Sequence, residues 1–196
     1  ISQISEILSA LVFYMGVVIL GLFVHMGITY MTLLKIFTTM DIKHFLKSMA
    51  PVQLLGFSTS SSGATLPVTM KRCEKDLGIS EEISSFVLPL GATINMDGTA
   101  LYQGVAAVFI AQAVGMDLTL ANQFTIVATA VLASIGTAAV PGAGIIMLII
   151  ILEAINVPSE GIALILGVDR ILDMIRTATN VTGDATVASV MDSLER

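Results

Sequence analysis

Residues 90–104 read LGATINMDGTALYQG and place an amide, an acid and two threonines inside a long apolar run. The chain on either side is hydrophobic enough for a membrane, yet Asn95, Asp97 and Gly98 interrupt the pattern. At membrane depth, irregular backbone and polar side chains are tolerated only where they are buried in protein or line a cavity. The stretch therefore predicts a broken helix whose break belongs to a binding site.

The composition places the chain in a lipid bilayer. It has 196 residues, of which 55% are hydrophobic and only 12% are charged, whereas soluble domains carry roughly 25% charged residues. We therefore expect a membrane protein and no nucleic-acid partner. The single cysteine, Cys73, excludes an internal disulfide. The opening ISQISEILSA has neither Met nor a basic leader, so we expect a piece of a longer protein.

Residues 8–34 form the first apolar segment and contain no Asp, Glu, Lys or Arg. Their length exceeds the roughly 20 residues that cross a bilayer, so we predict a transmembrane helix. His25 lies alone in this segment. We expect a neutral, hydrogen-bonded packing residue there rather than a proton carrier.

Two further segments predict re-entrant helical hairpins. Residues 41–75 have two apolar arms around GFSTSSSGATLP, and each arm is too short to span a membrane. The Ser/Gly run and Pro67 disfavour a continuous helix between the arms. Residues 121–152 repeat the pattern with ASIGTAAVPGAG at the tip. The interrupted segment 83–114 separates the hairpins, and a polar final helix follows over about 161–191.

Basic residues orient these segments in the membrane. Six of the nine Lys and Arg residues lie between positions 35 and 75, so both ends of the first hairpin are predicted to be cytoplasmic. The flanks of the second hairpin contain no basic residue, which places it on the opposite side. This is an inverted repeat of two units. We divide the chain into a transmembrane helix (1–37), a first hairpin with its interrupted helix (38–114) and a second hairpin with the final helix (115–196).

The final helix has one polar face. At 100° per residue, six polar residues fall within about 100° of one another: Asp169, Asp173, Arg176, Thr177, Asn180 and Asp184. Charged side chains in a membrane need partners or ligands. One explanation is structural, with Arg176 and Asp173 paired to each other, but it leaves the remaining acids unbalanced.

The residue types indicate the ligand. Asp97 and Asp184 in a dry site would take up protons or bind cations, and hard cations favour oxygen ligands. Arg176 presents a planar fork that suits a carboxylate, while Asp173 could receive an ammonium group. Together these features describe an acidic amino acid that is carried with cations.

Four segments carry a resemblance to a known family. SSSGATLPVTM, LPLGATINMDGTALYQG, ASIGTAAVPGAG and DRILDMIRTATNVTGD resemble the signature segments of the sodium/dicarboxylate symporters, which include archaeal aspartate transporters and excitatory amino acid transporters. The resemblance implies an all-α membrane protein and specifically its transport-domain half, built from an inverted repeat of re-entrant hairpins and broken transmembrane helices. It also implies alternating access of an elevator kind, a multi-pass plasma-membrane protein and a homotrimer formed through scaffold helices absent from this chain.

The resemblance further implies which residues hold the cargo, aspartate or glutamate with sodium ions and no organic cofactor. Substrate contacts would come from Ser60, Ser61, Ser62, Thr99, Val140, Gly144, Asp173, Arg176, Thr177 and Asn180. Sodium would bind carboxylate, amide and backbone oxygens of Gly91, Thr93, Asn95, Asp97, Ser134, Ile135, Thr137, Asn180 and Asp184. In one of these sites Asn95 and Asp97 would act together with residues of an absent helix.

Two other functions remain open at this point. A proton-coupled glutamate or C4-dicarboxylate carrier could use the same fold, although Arg176 and Asp184 together favour sodium-coupled uptake of acidic amino acids. An intramembrane protease is disfavoured, because residues 181–184 read Val-Thr-Gly-Asp and no His-Glu-x-x-His motif is present. We therefore expect a transporter and not an enzyme.

Overall fold

The structure is a computed structural model that describes residues 2–195. Helices and the turns between them make up that range, and it contains no β-strand, so the prediction of an all-α protein is confirmed. The α-helices in chain order are α1 (Ser2–His25), α2 (Met31–Phe37), α3 (Ile42–Thr59), α4 (Ser62–Lys75), α5 (Glu81–Ile94), α6 (Asp97–Ala113), α7 (Leu120–Ile135), α8 (Ala143–Ala154) and α9 (Leu166–Glu195). A 3-10 helix, Ser159–Leu164, precedes α9.

The first apolar segment is one continuous helical rod. A π-helical turn, Met26–Tyr30, joins α1 to α2, and the 33 residues Ser5–Phe37 are long and apolar enough to cross a membrane. The predicted helix over 8–34 is therefore present. Single π-helical turns inside α-helices frequently occur at functional sites. Here the turn follows His25 and ends at Tyr30, and the side chains of both residues contact Asp97.

Helices α3 and α4 form the first helical pair. The break between them is only two residues long: Ser60 adopts a left-handed conformation with φ 52°, and Ser61 caps α4 by accepting from Ala64 N. We expected Pro67 to disfavour helix, but it lies inside α4. A proline removes one backbone donor from a helix, and α4 continues past it because the arm packs against α5 and α9.

Two more breaks lie where the sequence predicts them. Helix α5 ends at Ile94 and α6 begins at Asp97, so Asn95 and Met96 form the break inside residues 83–114. Residues 136–142 separate α7 from α8 at the second predicted tip. At the other end of that pair, a capping box between Thr119 and Asn122 starts α7.

Helix α9 lies at the centre and contacts α1 to α6. The apolar core is divided into two clusters. One surrounds Tyr102 and Leu148 and includes Leu172 of α9, and the other surrounds Phe45 and includes Val181 of α9. The polar face of α9 is thereby held where the breaks in the other helices meet.

Candidate functional site

The tips of the two helical pairs touch each other. Ser61 Oγ donates to Ala139 O at 2.7 Å, and Gly63 N donates to the same carbonyl at 3.3 Å. The second tip also contacts α9, because the backbone N–H of Gly142 donates to Asp173 Oδ2 at 3.0 Å. Both tips therefore close over the polar face of α9.

A narrow cavity of about 10 Å³ lies beneath the tips. It is lined by Ser60, Ser62, Met96, Thr99, Thr137, Ala138, Ala139, Val140, Gly144, Asp173, Thr177 and Asn180. Eight of the ten predicted substrate residues are in this lining, and Ser61 takes part in the tip contact instead. Ser60 Oγ is buried without a hydrogen-bond partner in the described part of the chain, which is unusual for a hydroxyl that faces a cavity.

Arg176, the remaining predicted substrate residue, is 1% exposed and lies beside the cavity. Its guanidinium binds Asp173 Oδ1 at 2.8 Å and Asp169 Oδ1 at 3.3 Å, and it stacks 3.6 Å above the ring centre of Tyr102. The Arg176–Asp173 pair that we considered as a structural explanation does form. Sequence reasoning placed Asp169 on the polar face without a role, and no pattern in the sequence identified Tyr102.

Gly144 brings the second tip against this arginine. A Cβ added there would lie 3.0 Å from Thr99 Cγ2 and 3.5 Å from Arg176 Nη2. The backbone of the tip therefore approaches the Thr99 methyl group more closely than most side chains would allow, while an added Cβ would make ordinary van der Waals contact with the guanidinium. A ligand enclosed here would contact the guanidinium, the Thr99 side chain and the tip backbone together.

Asn180 connects α9 to the start of α6. Its Nδ2 donates to Thr99 Oγ1 at 3.0 Å, and its Oδ1 accepts from Gly98 N at 2.9 Å. A Cβ at Gly98 would lie 2.8 Å from Asn180 Oδ1, so only glycine permits this approach without displacement. The NMDGT break is thus fixed by an α9 amide.

Asp184 lies one turn further along α9 and is 3% exposed. Asn95 Nδ2 donates to its Oδ1 at 3.0 Å. A Cβ added at Gly91 would lie 2.8 Å from the same oxygen. The end of α5 therefore packs directly against this carboxylate.

Asp97 is held by two side chains from the first helical rod. Tyr30 Oη donates to Asp97 Oδ2 at 2.7 Å, and His25 Nε2 lies 2.8 Å from the same oxygen. His25 is hydrogen-bonded, as expected, but its partner is a predicted cation ligand and not a packing neighbour. Tyr30 was missed, because one tyrosine at the end of an apolar helix carries no sequence signal for this contact.

The other predicted cation ligands lie at helix ends. Thr93 is exposed near the end of α5 and donates its hydroxyl to Leu90 O. Ser134 and Thr137 are buried around the end of α7, and Ile135 is exposed. Helix C-termini leave carbonyl oxygens without intrahelical donors and carry partial negative charge. The C-termini of α5 and α7, two helices that contact each other, therefore supply oxygens of the type that a hard cation binds.

The donors are not those of a transition-metal site. Within residues 2–195, no three His, Cys, Asp or Glu side chains meet in a way that could hold a metal ion. Asp97 and Asp184 instead supply carboxylate oxygens beside the break at Asn95 and Met96, and oxygen ligands suit a hard cation.

Comparison with known proteins identifies the family. The model of the sodium:dicarboxylate symporter family matches residues 1–194. The chain belongs to the sodium:dicarboxylate symporter family. The match covers all four motif segments on which the resemblance was based, so that prediction is confirmed.

Several relatives of this chain are excitatory amino acid transporters. Transporter 3 of Mus musculus is 45% identical over 191 residues, which are 97% of this chain and 36% of the relative. A transporter of Caenorhabditis elegans is 41% identical, over 97% of this chain and 38% of the relative. Transporter 2 of Homo sapiens is 41% identical, over 100% of this chain and 34% of the relative. The chain spans about a third of the length of these symporter-family members.

Proposed function

We propose that this chain is the transport half of a symporter that takes up aspartate or glutamate together with sodium ions. The observation that carries the proposal is Arg176, a guanidinium buried to 1% exposure beside a cavity that both helical tips close. A permanent charge in such a place requires an anionic partner, and Asp173, which supplies one, itself lines the cavity, where a substrate carboxylate could replace it. Family membership and the names of the relatives support the same function.

Arg176 would bind the side-chain carboxylate of the substrate, and Asp173 would bind its ammonium group. These two residues now bind each other at 2.8 Å, so a zwitterionic substrate would exchange one charge pair for two. Asp173 also accepts from Gly142 N. Binding of substrate to Asp173 would therefore directly affect the hydrogen bond that holds the second tip at Gly142.

The other substrate contacts would come from the cavity lining. Thr99 and Asn180 would hydrogen-bond the main-chain groups of the substrate, with Thr177 beside them. The backbone of Ser60–Ser62 would present donors from the first tip, while Val140 and Gly144 would close over the ligand. A cavity of about 10 Å³ is far too small for an amino acid, so entry requires the tips to separate.

Sodium would bind at three places around α5, α6, α7 and α9. Asp184 would anchor one site with carbonyl oxygens of residues 91, 95 and 180, and Asp97 with Asn95 would contribute to another. A third would use carbonyls at residues 93, 134, 135 and 137. Asp184 is buried and Asp97 is partly buried, and sodium can balance the charge of both carboxylates.

The membrane arrangement belongs to the same proposal. The pairs α3–α4 and α7–α8 would be re-entrant hairpins that enter a plasma membrane from opposite sides, with residues 1–37, 38–114 and 115–196 as the three parts of the transport domain. The domain would move as a rigid elevator against scaffold helices of a homotrimer. Sodium and substrate would bind before the second tip closes, which couples the two fluxes.

The test is uptake of labelled aspartate by the full-length transporter in liposomes with an inward sodium gradient. Arg176→Ala should abolish aspartate uptake, because the substrate carboxylate loses its cation. Asp184→Asn should retain uptake only at much higher sodium concentrations. Arg170→Ala removes an exposed arginine from the same helix and should leave both properties unchanged.

Two results would contradict the proposal. Uptake that ignores sodium and follows a proton gradient would indicate a proton-coupled carrier on the same fold. Normal aspartate uptake by Arg176→Ala would place the substrate carboxylate elsewhere. Either result would leave the family assignment intact.

A further inference from the structure

A second polar cavity lies at the ends of α3 and α4 that are remote from the tips. Its volume is about 430 Å³, and it is lined by His44, Lys47, Ser48, Arg72, Lys75 and Asp76. We call it the basal pocket. None of its residues takes part in the substrate or cation sites proposed above.

The basal pocket carries two uncompensated positive charges. Arg72 Nη1 binds Asp76 Oδ2 at 2.7 Å, so these two charges cancel. His44 Nε2 lies 2.7 Å from Asp76 O, and since a carbonyl can only accept, that nitrogen donates. Lys47 and Lys75 have neither a hydrogen bond nor an ion pair within the described residues. The pocket therefore offers two free ammonium groups at its wall.

An exposed apolar side chain lies beyond the pocket on α3. Leu54 lies seven residues after Lys47 and is 68% exposed. A seven-residue step in an α-helix returns to within about 20° of the starting direction. Leu54 is thus about 10 Å closer to the tips than Lys47 and on the same side of α3. On α4 the corresponding residue, Val68, packs partly against the apolar core.

We propose that the basal pocket binds a phosphomonoester group, with a lipid of the cytoplasmic leaflet as its source. A phosphomonoester carries a charge of about −1.5 to −2 at neutral pH, which two lysines match, whereas a phosphodiester carries only about −1. Basic pockets at the cytoplasmic ends of membrane helices are typical sites for such headgroups. The acyl chains would lie along the side of α3 that carries Leu54.

The location of the pocket supports a lipid over a soluble ion. The predicted cytoplasmic side of the first hairpin is the side on which Lys43, Lys47, Lys71 and Lys75 lie, and the membrane surface there is negatively charged. This placement rests on the hairpin arrangement of the proposed function. Ligand binding is measured separately from transport, so failure of one proposal does not imply failure of the other.

The experiment titrates dioctanoyl phosphatidic acid into the full-length transporter in neutral phosphatidylcholine nanodiscs, with heat of binding as the readout. Lys47→Gln/Lys75→Gln should weaken binding by about 10- to 30-fold. Lys43→Gln/Lys71→Gln is the matched control, since it removes the same charge from exposed positions on the same arms that do not line the pocket. It should change the affinity by less than about twofold.

A further variant should act in the opposite direction. Asp76→Asn releases Arg72 from its ion pair and should tighten binding by about 3- to 10-fold, because a third cation becomes free. The variant leaves the backbone carbonyl that His44 contacts in place. A general loss of folding cannot produce a gain in affinity, so this result would separate a built site from a structural effect.

Two competing ligands distinguish the sources of phosphate. If inorganic phosphate displaces dioctanoyl phosphatidic acid at equal concentration, the pocket binds phosphate, but its ligand is a soluble ion and not a lipid. Dioctanoyl phosphatidylglycerol that binds as tightly as phosphatidic acid would contradict the match to a phosphomonoester. Equal losses in the two double variants, or no saturable binding at all, would overturn the proposal.

Discussion

Two charged regions lie along α9 and differ in how their charges are balanced. In the first, Arg176 is bound by the carboxylates of Asp169 and Asp173. In the second, Asp97 and Asp184 are bound by amide, hydroxyl, imidazole and backbone donors. The first region has a cation and two anions from its own side chains, whereas the second has two anions and, within residues 2–195, no ion pair with a permanently charged cation.

The difference indicates what each region can accept. Buried charge without compensation is costly, so an added cation stabilises the second region, with its two carboxylates, more than the first, where Arg176 already balances one of two carboxylates. The first region can also exchange partners, because a carboxylate on Arg176 can be replaced by one from a ligand. On the proposed function, cation dependence would rest with Asp97 and Asp184 and anion selectivity with Arg176, and the variants below test that separation.

The largest effect is expected from Gly183→Ala. A Cβ at Gly183 would lie 2.7 Å from Tyr30 Oη and 2.8 Å from Asn95 Nδ2, the donors to Asp97 and Asp184. Since both donors must move, the sodium concentration for half-maximal aspartate uptake should rise by about 100-fold. Sodium titrations of liposome uptake measure this change. Gly167→Ala on the same helix, where no atom lies within 4 Å of an added Cβ, should behave like the wild type.

Retention of normal sodium dependence by Gly183→Ala would contradict the assignment of cation binding to the region of Asp97 and Asp184. It would mean that the hydrogen bonds around the two carboxylates can be displaced without effect on cation binding. The cation would then have to bind elsewhere, for example at the ends of α5 and α7.

Arg176→Lys tests the other region and should have the next largest effect. Lysine keeps the charge but lacks the planar fork that contacts both Asp169 and Asp173 and stacks on Tyr102. The concentration of aspartate for half-maximal uptake should rise by about 10- to 100-fold at saturating sodium. The sodium dependence, measured at saturating aspartate, should not change. An equal shift in both titrations would show that the regions are not separable.

The sequence predicts the framework of this site because its signals are local. Breaks at Ser60, Asn95 and the second tip follow from small and polar residues inside apolar runs. The buried polar face of α9 follows from helical spacing alone, and its members are buried in the structure. These features need no knowledge of which helices are neighbours.

Two of the contacts that the sequence does not predict join distant segments. Tyr30 reaches Asp97 across 67 positions, and Tyr102 lies under Arg176. Both tyrosines occur in apolar helices, where an aromatic residue is ordinarily part of the core. Their roles depend on the π-helical turn and on the packing of α6 beside α9, which hydropathy and residue spacing do not encode.

Tyr30→Phe should have a moderate effect on the carboxylate region alone. It removes the 2.7 Å hydrogen bond to Asp97 Oδ2 while keeping the aromatic ring. Half-maximal uptake should then need about 3- to 10-fold more sodium, because one hydrogen bond to a charged group is lost. The aspartate dependence at saturating sodium serves as the internal control and should stay unchanged. A change in aspartate dependence alone would place Tyr30 with the arginine region instead.

Asp169→Asn should have the smallest effect, and its direction is informative. The bond from Arg176 to Asp169 is 3.3 Å long, compared with 2.8 Å to Asp173, so Asp169 is the weaker of the two anchors. If its carboxylate competes with the substrate for the guanidinium, neutralising it should lower the aspartate concentration for half-maximal uptake by about 2- to 3-fold. Asp117→Asn, in the connection between α6 and α7, should leave the value unchanged. Weaker aspartate binding in Asp169→Asn would mean that the residue positions Arg176 more than it competes, and the arginine region would then be a fixed receptor and not an exchange site.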